Sequence, residues 1–200
     1  MTSPRGRAQA IAVGRGGQHT LAVPLVLRLA ARIAERPLEE FFTDPTQLAN
    51  GLRDLLEAVG PDGLVVTLPD VLDGDPGERL ECALEATRRL RPTVGDRAAL
   101  IAVLGGSGPV VDCARAFLSA GIDGIVLTGP CPAEAARTVG NVSRFHRAVA
   151  HAADVPGLPP PTVVALAAPH PGVGLVITDG EVPADTALPI VEDWVRAVHS

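Results

Sequence analysis

Two arginines and one aspartate lie where a parallel α/β fold would place reactive groups. Arg28 and Arg32 come after an apolar segment at residues 20–27, and Asp70 comes after another at residues 63–68. Arginines one helical turn apart face the same way, so they could hold carboxylates through forked hydrogen bonds. An aspartate beside them would stay ionised and could bind N–H donors or stabilise a developing cation. These residues predict a site for an anionic small molecule, with Asp70 as its electrostatic or acid–base group.

The same residues also allow a simpler interpretation. Arg28 and Arg32 would fit on a solvated helix face, and Asp70 would fit in a turn after Pro69. The two interpretations differ in whether the three side chains converge on one pocket at the ends of the strands.

The composition of the chain excludes some classes of enzyme and disfavours some classes of ligand. The chain has no lysine, which excludes Schiff-base aldolase and pyridoxal-phosphate chemistry, and no tyrosine that could act as a phenolic acid. A net charge of -6 disfavours nucleic-acid binding, because contacts to phosphate need a basic face. No apolar run reaches the roughly 18 residues of a membrane span, and the N-terminus does not resemble a secretory signal. We therefore expect a cytoplasmic protein that binds neither membrane nor nucleic acid.

The hydrophobic pattern predicts the elements that position these groups. Near-continuous apolar runs indicate parallel strands buried on both faces, at residues 20–27, 63–68, 99–104, 124–128, 162–167 and 173–177. Helical patterns lie between or after them, at residues 45–59, 77–91, 109–120, 132–153 and 185–199. This alternation predicts one parallel α/β domain over residues 1–200, without internal repeats, and it fits either a barrel or a doubly wound sheet. Six strands are fewer than the eight of a full barrel, and residues 10–13 could add a short one.

Local residues support this assignment. Asp44 and Pro45 fit the N-cap and first position of the helix at residues 45–59. Gly105, Gly106 and Gly108 follow a strand, but no complete phosphate-binding fingerprint is present, so we interpret them as a tight turn.

Three segments, in this order, resemble the uroporphyrinogen decarboxylase superfamily. They are residues 24–32 (PLVLRLAAR), 60–72 (GPDGLVVTLPDVL) and 174–186 (GLVITDGEVPADT). They are similar to the family's first strand with its two arginines, its strand that ends in an acidic residue, and its last strand with the entry to the final helix. The resemblance implies a shortened, TIM-barrel-like fold.

The resemblance also implies a function. Arg28 and Arg32 would bind the carboxylates of a tetrapyrrole-like substrate, and Asp70 would bind pyrrole N–H groups during decarboxylation, with no cofactor. Two departures weaken this implication: the family's tyrosine is missing, and Asp179 stands at the place of its C-terminal histidine. We expect little conventional decarboxylation, and an acid–base role for Asp179 if it is buried.

A sister branch of the same superfamily consists of corrinoid and thiol methyltransferases, which hold zinc through histidine and cysteine. His170 lies near the place of that motif, but no cysteine follows it. Cys82, Cys113 and Cys131 are widely spaced and form no C-x-x-C pair, which predicts reduced thiols. We therefore predict no metal site.

Three functions remain open from the sequence. The chain could be a decarboxylase-type lyase, a non-catalytic homologue that serves as a binding or partner subunit, or a methyltransferase relative. We also expect a homo-oligomer, or a heteromer with a full-length homologue, because an incomplete barrel leaves strand edges to be covered. In the last helix Leu188, Val191, Val195 and Val198 form a stripe that fits the core, whereas Trp194 beside them would suit an interface.

Overall fold

A computed structural model describes residues 2–15, 19–72, 76–106, 108–153, 155 and 157–200. Its helices are α1 (Pro4–Ala12), α2 (Leu27–Ile33), α3 (Leu38–Thr43), α4 (Pro45–Val59), α5 (Pro76–Val94), α6 (Val110–Ser119), α7 (Ala133–Phe145) and α8 (Leu188–His199). Its strands are β1 (Thr20–Val23), β2 (Gly63–Thr67), β3 (Ala99–Gly105), β4 (Gly124–Thr128), β5 (Val149–Ala152), β6 (Thr162–Val164) and β7 (Gly174–Thr178). A short 3-10 turn, Pro69–Val71, follows β2.

All the strand pairs are parallel. The strands form a three-stranded sheet in the order β1-β7-β6 and a four-stranded sheet in the order β2-β3-β4-β5. The sheets meet where the Asp62 N–H donates to the Ala22 carbonyl at 3.0 Å. On the other side, Ala152 N–H donates at 3.1 Å to the carbonyl of Pro159, in the connection that leads to β6. The result is a parallel α/β fold, as the strand–helix alternation predicts, and it is a shortened, TIM-barrel-like one, as the resemblance implies.

Buried strands and amphipathic helices account for the core. Every residue of β2 is buried, as expected for a parallel strand covered on both faces. Helix α4 begins where the Asp44 carboxylate accepts hydrogen bonds from the N–H groups of Thr46 and Gln47. The bond from Thr46 is the main reason that the pKa of Asp44 lies below its ordinary value. It ends at Gly60, whose φ of 66° suits glycine.

Helix α1 covers the N-terminal ends of the strands through two aspartates. Asp62 precedes β2 and pairs with Arg7, while Asp123 precedes β4 and pairs with Arg5 at 3.0 Å. Asp123 also pairs with Arg91 of α5 and accepts a 2.9 Å hydrogen bond from the Leu100 N–H. These contacts fasten α1 across the base of the barrel.

The two aspartates belong to a repeated motif. Residues 60–67 (GPDGLVVT) and 121–128 (GIDGIVLT) share the pattern G-x-D-G, two apolar residues, one variable apolar residue and Thr. In both copies the aspartate directly precedes a buried strand. The repeat marks the two places where the base of the barrel binds an arginine of α1.

Helix α8 packs its apolar stripe inward, as expected for core. Trp194 is fully buried (0% exposed), and its indole Nε1 donates at 3.1 Å to the Val164 carbonyl of β6. The suggestion that Trp194 suits an interface is therefore wrong, because the side chain holds β6 against the last helix.

Two sequence-based assignments give the wrong kind of element. Residues 10–13 do not add a strand, because the chain from Pro4 to Ala12 is helical, with Ser3 as its N-cap. The helix expected over residues 132–153 ends at Phe145, and β5 follows it. His151, which falls within the residues expected to be helical, lies in β5 and is buried.

Burial of His151 predicts a pH-dependent stability. Burial lowers the pKa of His151 from its ordinary value of 6.5, so the unfolded chain binds this proton more readily than the folded one. The contribution of His151 to folding stability is complete above pH 6.5 and is lost as the pH falls below that value. We expect the melting temperature of the H151L variant to fall less than that of the wild type between about pH 7.5 and about pH 5. The control is H146L, since His146 is exposed; equal acid sensitivity of H151L and the wild type would contradict the prediction.

Candidate functional site

Arg28 lies near the start of α2, at the C-terminal end of β1. Its position is fixed by the connection after β7: the Leu25 N–H donates to the Thr178 hydroxyl at 3.1 Å, and the Val182 N–H donates to the Leu25 carbonyl at 2.7 Å. These bonds lay residues 178–182 against the segment that enters α2. The connection therefore brings its acidic side chain to Arg28.

That acidic side chain is Glu181, which the sequence analysis did not single out. Its Oε1 accepts a 2.9 Å hydrogen bond from the Arg28 backbone N–H, and its Oε2 pairs with the Arg28 guanidinium. The Glu181 side chain is only 16% exposed. A carboxylate that binds both the backbone and the side chain of one residue fixes the orientation of that residue. Glu181 thus positions Arg28.

Asp70 contacts the other side of the same guanidinium. It lies in the 3-10 turn after β2, and its carboxylate pairs with Nη2 of Arg28. The structure therefore brings Arg28 and Asp70 together at the C-terminal end of the barrel. The Asp70 side chain is 51% exposed, so solvent and ligands reach it. We call these three residues (Arg28, Asp70 and Glu181) the Arg28 cluster. One guanidinium and two carboxylates give the cluster a formal net charge of −1.

Arg32 and Asp179 lie beside this cluster without joining it. The Arg32 guanidinium donates at 2.8 Å to the Thr186 carbonyl, in the connection between β7 and α8. Asp179 directly follows β7 and is exposed. Among the described residues, Asp179 has no hydrogen-bond or ion-pair partner, and the burial on which its acid–base role depends is not found.

A metal set like that of the zinc methyltransferases does not fit the described residues. His170 is exposed, and its Nδ1 lies 3.0 Å from the Pro171 carbonyl. Nowhere in the described ranges do three or more His, Cys, Asp or Glu side chains cluster so that they could hold a metal ion.

A cavity of about 550 Å³ opens at the same end of the barrel. It lies between the 3-10 turn, α5, α6 and the ends of β3 and β4. One wall depends on Gly106, where a Cβ would collide with the Pro130 carbonyl and with Cys131. Glycine therefore allows the connection after β3 to contact the connection after β4.

None of the helices in the described ranges combines the length and apolarity that crossing a bilayer requires.

Comparisons with known proteins reveal the fold. No protein-family model matches the sequence. A search of curated proteins also finds no match. Fifteen solved chains match in structure. One is a methyltransferase from Methanosarcina mazei, which shares 12% identity and covers 98% of each chain with a TM-score of 0.67. At this identity the likeness shows a common fold, and the fold is that of a protein named as a methyltransferase.

Proposed function

We propose that this chain is an enzyme of the uroporphyrinogen decarboxylase superfamily that binds a carboxylate-bearing small molecule at the Arg28 cluster. The observation that supports the proposal is the unequal environment of the two carboxylates on Arg28. Glu181 is shielded and binds the backbone as well, whereas Asp70 is half exposed and contacts only the guanidinium edge. A ligand carboxylate would replace Asp70 on the outer edge of Arg28, while Glu181 keeps the guanidinium in place. Arg32 would supply a second cation nearby.

Asp70 then has a defined part in the reaction. Once displaced, its carboxylate lies next to the bound ligand, where it can accept a proton or stabilise positive charge. Asp179 is exposed and would contribute only if ligand binding covers it.

Replacing the competing carboxylate tests this arrangement. We expect D70N to bind carboxylates up to about fivefold more tightly than the wild type, because an exposed ion pair contributes roughly 0.2–1 kcal/mol. Calorimetric titration with mono-, di- and tricarboxylates, each compared with its uncharged amide, measures the effect. The control is D54N, since Asp54 makes an exposed pair with Arg53 on α4. Weaker binding of carboxylates by D70N would show that Asp70 contacts the ligand directly and does not compete with it.

Methyl transfer is the reaction that the solved neighbour favours over decarboxylation. The resemblance to corrinoid and thiol methyltransferases gives the assay: incubation with methylcobalamin and a thiol, with mass-spectrometric detection of the methyl thioether. If the protein instead releases carbon dioxide from a tetrapyrrole carboxylate, decarboxylation would be the favoured reaction. If neither product forms while carboxylates bind, the chain is a binding or partner subunit.

Self-association is also part of the proposal. Strands β5 and β6 end their respective sheets, and the Ala152–Pro159 hydrogen bond bridges the seam between them. A second chain would cover this seam. We expect light scattering at micromolar concentration to give a mass above the 20.6 kDa of one chain. A monodisperse species of that mass would contradict self-association and would leave only the heteromer to be tested by co-purification.

A further inference from the structure

The cavity at the C-terminal end of the barrel differs in chemistry from the Arg28 cluster beside it. Of the described residues that line it, none is charged, and most are glycine, proline, leucine or valine. Thr128 and Cys113 supply the polar side chains. Burial raises the pKa of the Cys113 thiol, so the thiol is protonated at neutral pH.

This lining selects against charged groups. A carboxylate that loses its hydration in the cavity would find no positively charged side chain among the described residues that line it, which is unfavourable. An uncharged apolar group would gain from burial, and a volume of about 550 Å³ falls within the range of small-molecule sites. The cavity therefore suits an apolar group of moderate size.

The 3-10 turn after β2 connects the cavity to the Arg28 cluster. Pro69 and Leu72 line the cavity, and Asp70 between them pairs with Arg28. A single ligand could thus contact both features, with its apolar part on one side of the turn and its charge on the other.

We infer that the cavity binds the uncharged, apolar body of an amphiphilic ligand whose anionic end contacts Arg28. The contact between the anionic end and Arg28 rests on the proposed function. Binding of the apolar body in the cavity does not depend on it. It narrows the expected ligand: a molecule with carboxylates on every side would not fit, and one with its anionic groups at one end would.

Two fluorescent probes that differ by one anionic group test the inference. N-phenyl-1-naphthylamine is uncharged, and 8-anilino-1-naphthalenesulfonate has the same aromatic body with a sulfonate. We expect one molecule of either probe to bind per chain, the sulfonate about tenfold more tightly because of its charge-assisted contact. In R28A the sulfonate should lose this advantage and the amine should be unaffected. In C113W, where a large side chain fills the cavity, both should lose binding.

The outcomes separate the two claims. If the uncharged probe fails to bind, or binds C113W as well as the wild type, the cavity inference is overturned. If both probes bind equally to the wild type and to R28A, the anion site of the proposed function fails while the cavity inference stands.

Alkylation of the wild type gives an independent test if C113W does not fold. Cys113 lines this cavity, whereas the half-buried Cys131 lines a different one, so the uncharged probe should slow labelling of Cys113 by N-ethylmaleimide at least severalfold and leave Cys131 unchanged. Buried Cys82, whose pKa burial raises to about 12, should label only if the protein unfolds. Equal protection of Cys113 and Cys131, or protection of neither, would contradict the inference.

Discussion

The D123A variant should lose about 3–5 kcal/mol of folding free energy, because it leaves buried charge without its partner. The Asp123 side chain is 5% exposed and joins Arg5 of α1, Arg91 of α5 and the Leu100 N–H at the start of β3. Removing it leaves the mostly buried guanidinium of Arg91 without this carboxylate, with hydrogen bonds only to the Gly95 and Ala98 carbonyls among the described contacts. For a chain of this size, the loss corresponds to a melting temperature lower by roughly 6–20 °C.

A matched control shares one partner with Asp123. Asp96 pairs with the same Arg5 at 3.6 Å, but its side chain is 69% exposed. Chemical denaturation of D96A should therefore give a stability within about 0.5 kcal/mol of the wild type. If D123A proves as mild as D96A, the ion pairs at the base of the barrel do not hold it together.

The R28A variant should lose carboxylate binding by about 10- to 100-fold, as expected when a charge-assisted hydrogen bond worth roughly 1.5–3 kcal/mol is removed. R28K should recover only part of the affinity, since an ammonium group cannot bind Glu181 and a ligand through one planar fork. The control is R97A. Arg97 lies just before β3, at the opposite end of the barrel, and makes an exposed ion pair with Glu57 at 2.6 Å.

Calorimetric titration with the tightest-binding carboxylate measures this loss. R97A should bind like the wild type, and the amide of the same ligand should bind R28A and the wild type equally. Retention of full carboxylate affinity by R28A would overturn the anion site. A parallel loss with the amide would instead indicate that the variant distorts the entry to α2.

The sequence was sufficient to place Arg28 and Asp70 at one end of the fold. Both follow buried strands, and the C-terminal ends of parallel strands share one end of a barrel. Glu181 was missed because the resemblance directed attention to Asp179, the first acid after β7. The backbone bond from Val182 to Leu25 selects the later acid, and no local pattern encodes such a long-range bond.

The missed elements have equally specific causes. Strand β5 reads VAHA, and alanine favours helices, so local propensity opposed the pairing with β4 that the tertiary structure imposes. Helix α1 carries a serine cap and Pro4 at its first position, signals that were present in the sequence. The cavity could not have been foreseen, because its walls come from segments between residues 69 and 130 that only the fold brings together.

The fastening of α1 sets an order on the assembly of the chain. Arg5 and Asp123 are 118 positions apart, and Arg7 and Asp62 are 55 apart. During synthesis the first helix can bind the start of β2 well before the residue that secures its other arginine has been made. The later contact closes a far longer loop, and its formation signals that the strands up to β4 have reached their places. The Arg7 contact of α1 can therefore form early, whereas the Arg5 contact must wait for the segment that carries Asp123.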